Sequence, residues 1–324
     1  MARTTVLNTG RLPPALVQRL QAEHEWLDLT AEADKAAFLQ AHGPSVQAVV
    51  TSAPFGLDAS TLAALPALKV ISSFGVGLDK LPLQAAAARG IAVGYTPDVL
   101  NDCVADMGFG LLLDVMRRIT CADRFLRRGN WAAGQVLPLS RKVSGAKLGM
   151  VGLGRIGQTI AKRAAGFDMH VRYHSRRPVA GVPWMHEPSL LELARWCDAL
   201  VVIVSGGAET RHLINAEVLD ALGPQGFLVN VSRGSVVDEA ALIQALTQGR
   251  IAGAGLDVFE DEPQVPPELI AMEHVVLQPH LASATQETRA AMAQRVYDNL
   301  NTFLATGRLL SAAPQPQAGF KNNS

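Results

Sequence analysis

The chain has 324 residues, long enough for two domains, and 48% of them are hydrophobic against 18% charged, which supplies cores and argues against disorder. Lys and Arg together number 29, as do Asp and Glu, so a formally neutral chain gives no electrostatic reason for a nucleic-acid or membrane-surface partner. The three cysteines (Cys103, Cys121, Cys197) are scattered without metal-ligand spacing and read as reduced thiols with no metal. The first residues lack an apolar signal core, so a cytoplasmic protein is the default expectation.

In chain order, short apolar runs at 4–7, 26–29, 46–51, 69–73 and 91–93 alternate with helix-period patterns at 14–22, 32–41, 58–65 and 81–89. Such alternation predicts a parallel sheet with helices on both faces. A helix pattern from 99 to 128 follows, long enough to connect two domains, with Pro97-Asp98 as its start signal. Trp131 lies just beyond it, in a position suited to packing or an oligomer contact. Near-continuous apolar runs at 198–205, 226–232, 251–258 and 274–279, separated by helix patterns at 189–195, 215–221 and 238–248, predict strands buried on both faces. A last helix spans 285–306, and a frayed tail is expected to run on to Ser324.

The stretch at 148–177 carries the strongest motif. An apolar strand (Leu148, Met150, Val151) enters Gly152-Leu153-Gly154-Arg155-Ile156-Gly157, then an amphipathic helix (Ile156, Ile160, Ala164, Phe167) and a second strand at 169–174. In this βαβ context the first glycine makes the tight turn, the second lets backbone approach a pyrophosphate, and the third lets helix and strand pack closely. The helix N-terminus offers free N–H groups to the anion. A dinucleotide is predicted here. Where an NAD site carries an acidic residue after the second strand, this chain has Ser175-Arg176-Arg177, groups suited to a 2′-phosphate. NADP(H) is therefore preferred, and use of NAD(H) stays open.

Three later strand ends each deliver a suggestive polar feature: Arg233 in Asn230-Val231-Ser232-Arg233-Gly234, an acidic loop over 255–263, and His280 in Gln278-Pro279-His280. In a doubly wound sheet these ends share one edge with the glycine loop and can converge on a nicotinamide. His24, His42, His186, His212 and His274 lack such placement and read as surface or helix-end residues.

The stretches SSFGVGLDKLPL, TPDVLNDCVADMGFGLLL, GNW, VGLGRIGQTIAKR, NVSRGSVVDEAALIQAL, GAGLDVFEDEP and QPHLASATQETR, in this order over about residues 70–300, resemble the D-isomer-specific 2-hydroxyacid dehydrogenase family, in particular its glyoxylate/hydroxypyruvate and hydroxyphenylpyruvate reductase branch. The resemblance implies an α/β fold of two doubly wound parallel-sheet lobes with a cleft between. Residues 1–98 plus 285–324 would form a flavodoxin-like substrate lobe, and 99–284 a Rossmann dinucleotide-binding lobe, in a homodimer. It implies NADPH-dependent reduction of a small 2-keto acid to the D-2-hydroxy acid. Arg233 would clamp the substrate carboxylate and carbonyl, His280 would donate the proton, and Glu262 would hold the other imidazole nitrogen. Asp257 would orient the nicotinamide carboxamide, and the backbone of Val76 and Gly77 would bind the substrate carboxylate. Arg155, Ile156, Ser205, Thr210, Val231, Ser232 and Ser283 would join Gly152, Gly154, Gly157 and Ser175-Arg176-Arg177 along the dinucleotide. Val204-Ser205-Gly206-Gly207 departs from relatives that carry a proline after this strand. Phosphoglycerate dehydrogenase, or a corepressor-type dinucleotide sensor, remains an alternative within the same resemblance.

Overall fold

The computed structural model describes residues 3–314, and the chain divides into two compact units, Asn101–Ala284 forming one and the segments before and after it the other. In the discontinuous unit, β1 (Thr5–Asn8), α1 (Pro14–Glu23), β2 (Glu25–Asp28), α2 (Lys35–His42), β3 (Ala48–Ser52), α3 (Ala59–Ala63), β4 (Val70–Phe74), α4 (Leu83–Ala88) and β5 (Ala92–Gly94) alternate. The all-parallel sheet has the order β2-β1-β3-β4-β5. β3 and β4 lie inside the sheet and every residue in them is buried, Thr51, Ser52, Ser72 and Ser73 included. Helix α2 starts three residues later than its pattern predicts because the Asp34 carboxylate caps it, accepting the Ala37 N–H at 3.0 Å.

The second unit opens with a difference from expectation. The single helix predicted at 99–128 is two, α5 (Asn101–Arg117) and α6 (Ile119–Arg127), broken at Arg118, whose φ of 59° is left-handed. No Gly or Pro marks the break. The Asp114 side chain accepts the Thr120 backbone N–H at 2.8 Å and so satisfies the first turn of the new helix. There follow β6 (Lys147–Val151), α7 (Arg155–Ala164), β7 (His170–His174), β8 (Met185–His186), α8 (Leu190–Trp196), β9 (Ala199–Val202), α9 (Ala216–Leu222), β10 (Phe227–Asn230), α10 (Glu239–Thr247), β11 (Gly253–Leu256), α11 (Pro267–Ala271) and β12 (Val275–Leu277). The short elements β8 and α11 have no counterpart in the sequence reading. The seven parallel strands run β12-β11-β10-β9-β6-β7-β8, so the order reverses between β6 and β9. Ligands of open α/β sheets bind at such a switch point, beyond the carboxyl ends of the strands. Leu200, Val202, Leu228, Ala254 and Leu256 of the central strands form one buried cluster with Leu193, Leu219 and Leu242 of α8, α9 and α10.

The chain then returns to the first unit with α12 (Gln286–Thr306), whose buried Met292, Val296 and Leu300 line one face. The Ser72 hydroxyl of β4 donates to the Val296 carbonyl at 3.1 Å. Gly307, at φ 72°, ends the helix in the left-handed cap that favours glycine. The next residues do not fray as expected: Tyr95 N–H donates to Ser311 O and Ala313 N–H to Val93 O, laying the segment antiparallel along the β5 edge. The rest of the expected loose tail, 315–324, lies outside the described residues. Fully buried Asn299 fastens this return, its amide donating to Tyr95 O at 3.0 Å and its oxygen accepting the Ser311 N–H at 2.9 Å. Among the described residues no helix is long and apolar enough to cross a membrane. Asn299→Ala strands both buried backbone partners, a loss of about 1–3 kcal/mol. In thermal denaturation the midpoint should fall by about 2–4 °C for each kcal/mol lost, and an unchanged midpoint would contradict this role for Asn299.

Candidate active site

Parallel register aligns the strand ends of the second unit. His174, Val151, Val202, Asn230, Leu256 and Leu277 are paired across the sheet as one row. The apolar runs predicted at 198–205, 226–232, 251–258 and 274–279 all leave the ladder at this row, which is why the strands are shorter than their hydrophobic patterns. One to three residues beyond it stand Ser175, Gly152, Ser205, Val231, Asp257 and His280, on one edge.

The glycine loop fits a pyrophosphate. Gly152 has φ 97°, and a Cβ there would meet the Ile203 carbonyl oxygen at 2.5 Å; at Gly157 it would meet the Gly152 oxygen at 2.6 Å. A Cβ on Gly154, by contrast, would meet nothing within 4 Å. Gly154 caps α7 without any side-chain hydrogen bond, so the helix N-terminus that follows it is suited to receive an anion. The first and third glycines are thus required by the fold, and the second keeps clear the approach a phosphate needs. Past β7, the Ser175 hydroxyl donates to Arg177 O at 2.7 Å and closes its own turn. Arg176 lies 2.8 Å from Glu209, both side chains largely exposed, a pairing weak enough for a phosphate to displace. Past β9, the Thr210 hydroxyl donates to Ser205 O at 2.8 Å and shapes that loop.

Asn230 and Asp257 build the two remaining loops. The Asn230 side-chain oxygen accepts the Ser232 N–H (3.0 Å) and hydroxyl (2.7 Å), while its amide donates to Arg233 O at 3.0 Å, folding the backbone around Arg233. Val231 and Ser232 are buried and support this loop from beneath. Gly234 admits no side chain: a Cβ would lie 1.8 Å from the Phe259 carbonyl carbon and oxygen, so the Arg233 loop rests directly on the Phe259–Glu260 peptide. Asp257, 1% exposed, accepts the N–H groups of Leu281 (2.7 Å) and Ala282 (3.0 Å), and its carbonyl accepts the His280 N–H at 2.8 Å. Burial pushes the Asp257 carboxyl up, against the lowering effect of those two amides. These bonds hold His280 at φ 53°, a left-handed conformation rare outside glycine that this clamp maintains, with Ser283 in the turn beside it.

His280 Nδ1 is 2.8 Å from Glu262 Oε2, and the other carboxylate oxygen accepts the Phe259 N–H at 3.1 Å. Burial alone would push the Glu262 carboxyl up. The hydrogen bond and charge of His280, the Phe259 N–H and the Arg233 charge outweigh it and bring the carboxyl below the usual range. An ionised Glu262 has only acceptors, so Nδ1 carries a proton and Nε2 is the nitrogen left to exchange one. The structure thus brings Arg233, Glu262, Asp257 and His280 together on the edge that holds the glycine loop. Val76 and Gly77 belong to the other unit, half-buried just past β4.

The sequence reading assigned no role to Asn230 or Gly234, although a glycine directly after a functional arginine is a signal of close backbone approach. It also set aside His212, whose Nε2 lies 2.8 Å from Glu260 Oε1.

The profile of the D-isomer specific 2-hydroxyacid dehydrogenase NAD binding domain matches residues 109–282. The chain is 44% identical over 296 residues to glyoxylate/hydroxypyruvate reductase A of Arabidopsis thaliana, covering 91% of this chain and 94% of that one. It is 47% identical over 274 residues to hydroxyphenylpyruvate reductase of Plectranthus scutellarioides, covering 85% and 87%. Among solved structures, the NADPH-dependent glyoxylate/hydroxypyruvate reductase of Sinorhizobium meliloti, in complex with NADP and malonate, superposes with a TM-score of 0.91 at 43% identity over 97% of this chain and 98% of that one. Geometry and similarity agree: the chain belongs to the D-isomer-specific 2-hydroxyacid dehydrogenase family and is an NAD(P)-dependent oxidoreductase.

Proposed function

We propose that this enzyme reduces a small 2-keto acid of the glyoxylate or hydroxypyruvate type to its D-2-hydroxy acid, with NADPH preferred over NADH. The observation that carries the reading is the 2.8 Å pair of His280 and Glu262 on the sheet edge that also bears the glycine loop and Arg233. The relatives' named activities on glyoxylate and hydroxypyruvate support it. When bound, the nicotinamide would supply the hydride. The Arg233 guanidinium pairs with the substrate carboxylate and draws charge onto the carbonyl oxygen. Protonated His280 donates from Nε2 to the forming alkoxide, and Glu262 keeps the ring turned and its Nδ1 protonated. With purified enzyme, His280→Ala and Arg233→Ala should each lower kcat/KM on glyoxylate or hydroxypyruvate by about 10²–10⁴-fold. A folded variant that keeps near wild-type turnover would end the assignment.

Arg176 and Arg177, placed past β7 where an acidic residue would repel a 2′-phosphate, support the NADPH preference. The bound NADP of the Sinorhizobium meliloti enzyme supports it as well. Replacing both arginines by alanine should raise KM for NADPH and leave that for NADH nearly unchanged. Wild-type kinetics that favour NADH would overturn the preference.

The same reading takes the enzyme as a homodimer. Ile119 and Leu126 stand seven residues apart on one face of α6, and both are exposed, as are Trp131, Val136 and Leu139 in the segment that follows. A second copy of the chain would cover this surface. Sedimentation should give a dimer that Leu126→Asp with Trp131→Ala weakens, and a monomer at micromolar concentration would refute it.

A further inference from the structure

The loop that carries Glu262 is gripped at its central peptide, Phe259–Glu260. On one side lies Gly234, with no room for even a Cβ. The Phe259 N–H goes to Glu262 and the Glu260 N–H to Glu239 Oε2 at 3.3 Å. The Glu260 side chain then reaches a second segment, accepting from Arg211 Nη2 and His212 Nε2, each at 2.8 Å. Facing an acceptor-only carboxylate, His212 Nε2 must be the protonated nitrogen.

These two donors are fixed in turn. His212 has φ 50°, and its N–H donates to Ser235 O at 2.8 Å, while Ile214 N–H donates to Val236 O at 3.0 Å. Ser235 and Val236 directly follow Arg233-Gly234. A closed circuit results, in which the Arg233 loop holds the 211–214 segment, that segment holds Glu260, and the Glu260 peptide rests back on Gly234. The charges around it are mixed. Asp238 Oδ2 lies 3.9 Å from His212 Nδ1. Burial, with the charges of Glu260 and Asp261, pushes the Glu239 carboxyl up despite its bond to the Glu260 N–H. Four carboxylates (Glu239, Glu260, Asp261, Glu262) crowd one loop, and only Glu260 has its charge met by both Arg211 and His212.

We propose that Glu260 is a positioning residue for the reduction: its grip on Arg211 and His212 orients the Phe259–Glu262 turn so that Glu262 presents its carboxylate to His280. The proposal rests on the catalytic reading of Glu262 and His280 given above. Sub-ångström control of a proton donor is enough to move a rate strongly.

The test is a mutant cycle of Glu260→Ala and Glu262→Gln, assayed as NADPH oxidation with glyoxylate. Glu260→Ala should lower kcat by about 10- to 100-fold with KM for NADPH unchanged. Glu260→Gln should recover most of the rate, since its oxygen still accepts from Arg211 and His212. In the Glu262→Gln background, Glu260→Ala should add little, because residues acting through one contact are non-additive. Wild-type kcat in Glu260→Ala, or losses that simply multiply in the double variant, would overturn the proposal. Should Glu260→Ala fail to fold, exposed Arg211→Ala carries the same cycle and the same outcomes. If Glu262→Gln alone keeps wild-type kcat, the catalytic reading of Glu262 fails first, a result distinct from failure at Glu260.

Discussion

Everything in the dinucleotide-binding unit depends on the register of one parallel sheet. Six strands end on a single row, His174–Val151–Val202–Asn230–Leu256–Leu277. Parallel hydrogen bonding permits no local slip without turning every buried side chain to the other face, so burial on both faces locks the row. Each chain segment then leaves the sheet on the same side within a few residues. The alignment brings an arginine, a histidine and a carboxylate that are well separated in the chain to the same edge.

Beyond the row, the loops are held by polar groups that have left water. Asn230 wraps the Arg233 loop and Asp257 clamps the His280 turn, each satisfying backbone groups that burial would otherwise leave unpaired. The cost of burying the Asp257 charge shows in its raised carboxyl; its return is a histidine kept in a left-handed conformation with its side chain aimed at Glu262. Gly234 links the two loops by steric contact alone, since no other residue allows the Arg233 backbone to lie on the Phe259–Glu260 peptide. Rigidity at this edge is what electrostatic preorganisation demands, because donors that must reorient during reaction stabilise charge less.

Much of this was legible in the residues. The βαβ glycine pattern located the switch point, and the fold class followed from the alternation of apolar runs. Boundaries were less legible. The strand patterns at 226–232 and 251–258 overran because residues buried in loops, such as Val231 and Val258, look like residues buried in strands. The break at Arg118 was invisible because no Gly or Pro marks it and the first turn of the new helix is satisfied by the Asp114 side chain. The return of residues 307–313 along β5 was missed for a similar reason, since one buried asparagine, Asn299, and a sheet edge far away in sequence recruit it.

The sequence by itself determined the parallel α/β class, the glycine loop at 152–157 and the identity of the polar residues that follow each strand, because periodicity and turn chemistry are local. Only the tertiary structure decided which of those residues meet: that Glu262 reaches His280, that Asp257 serves the His280 turn, and that His212, an unremarked residue in the chain, grips Glu260. Those contacts join segments 18 to 48 residues apart. Their distances are set by strand register and loop closure together, and no local pattern encodes either.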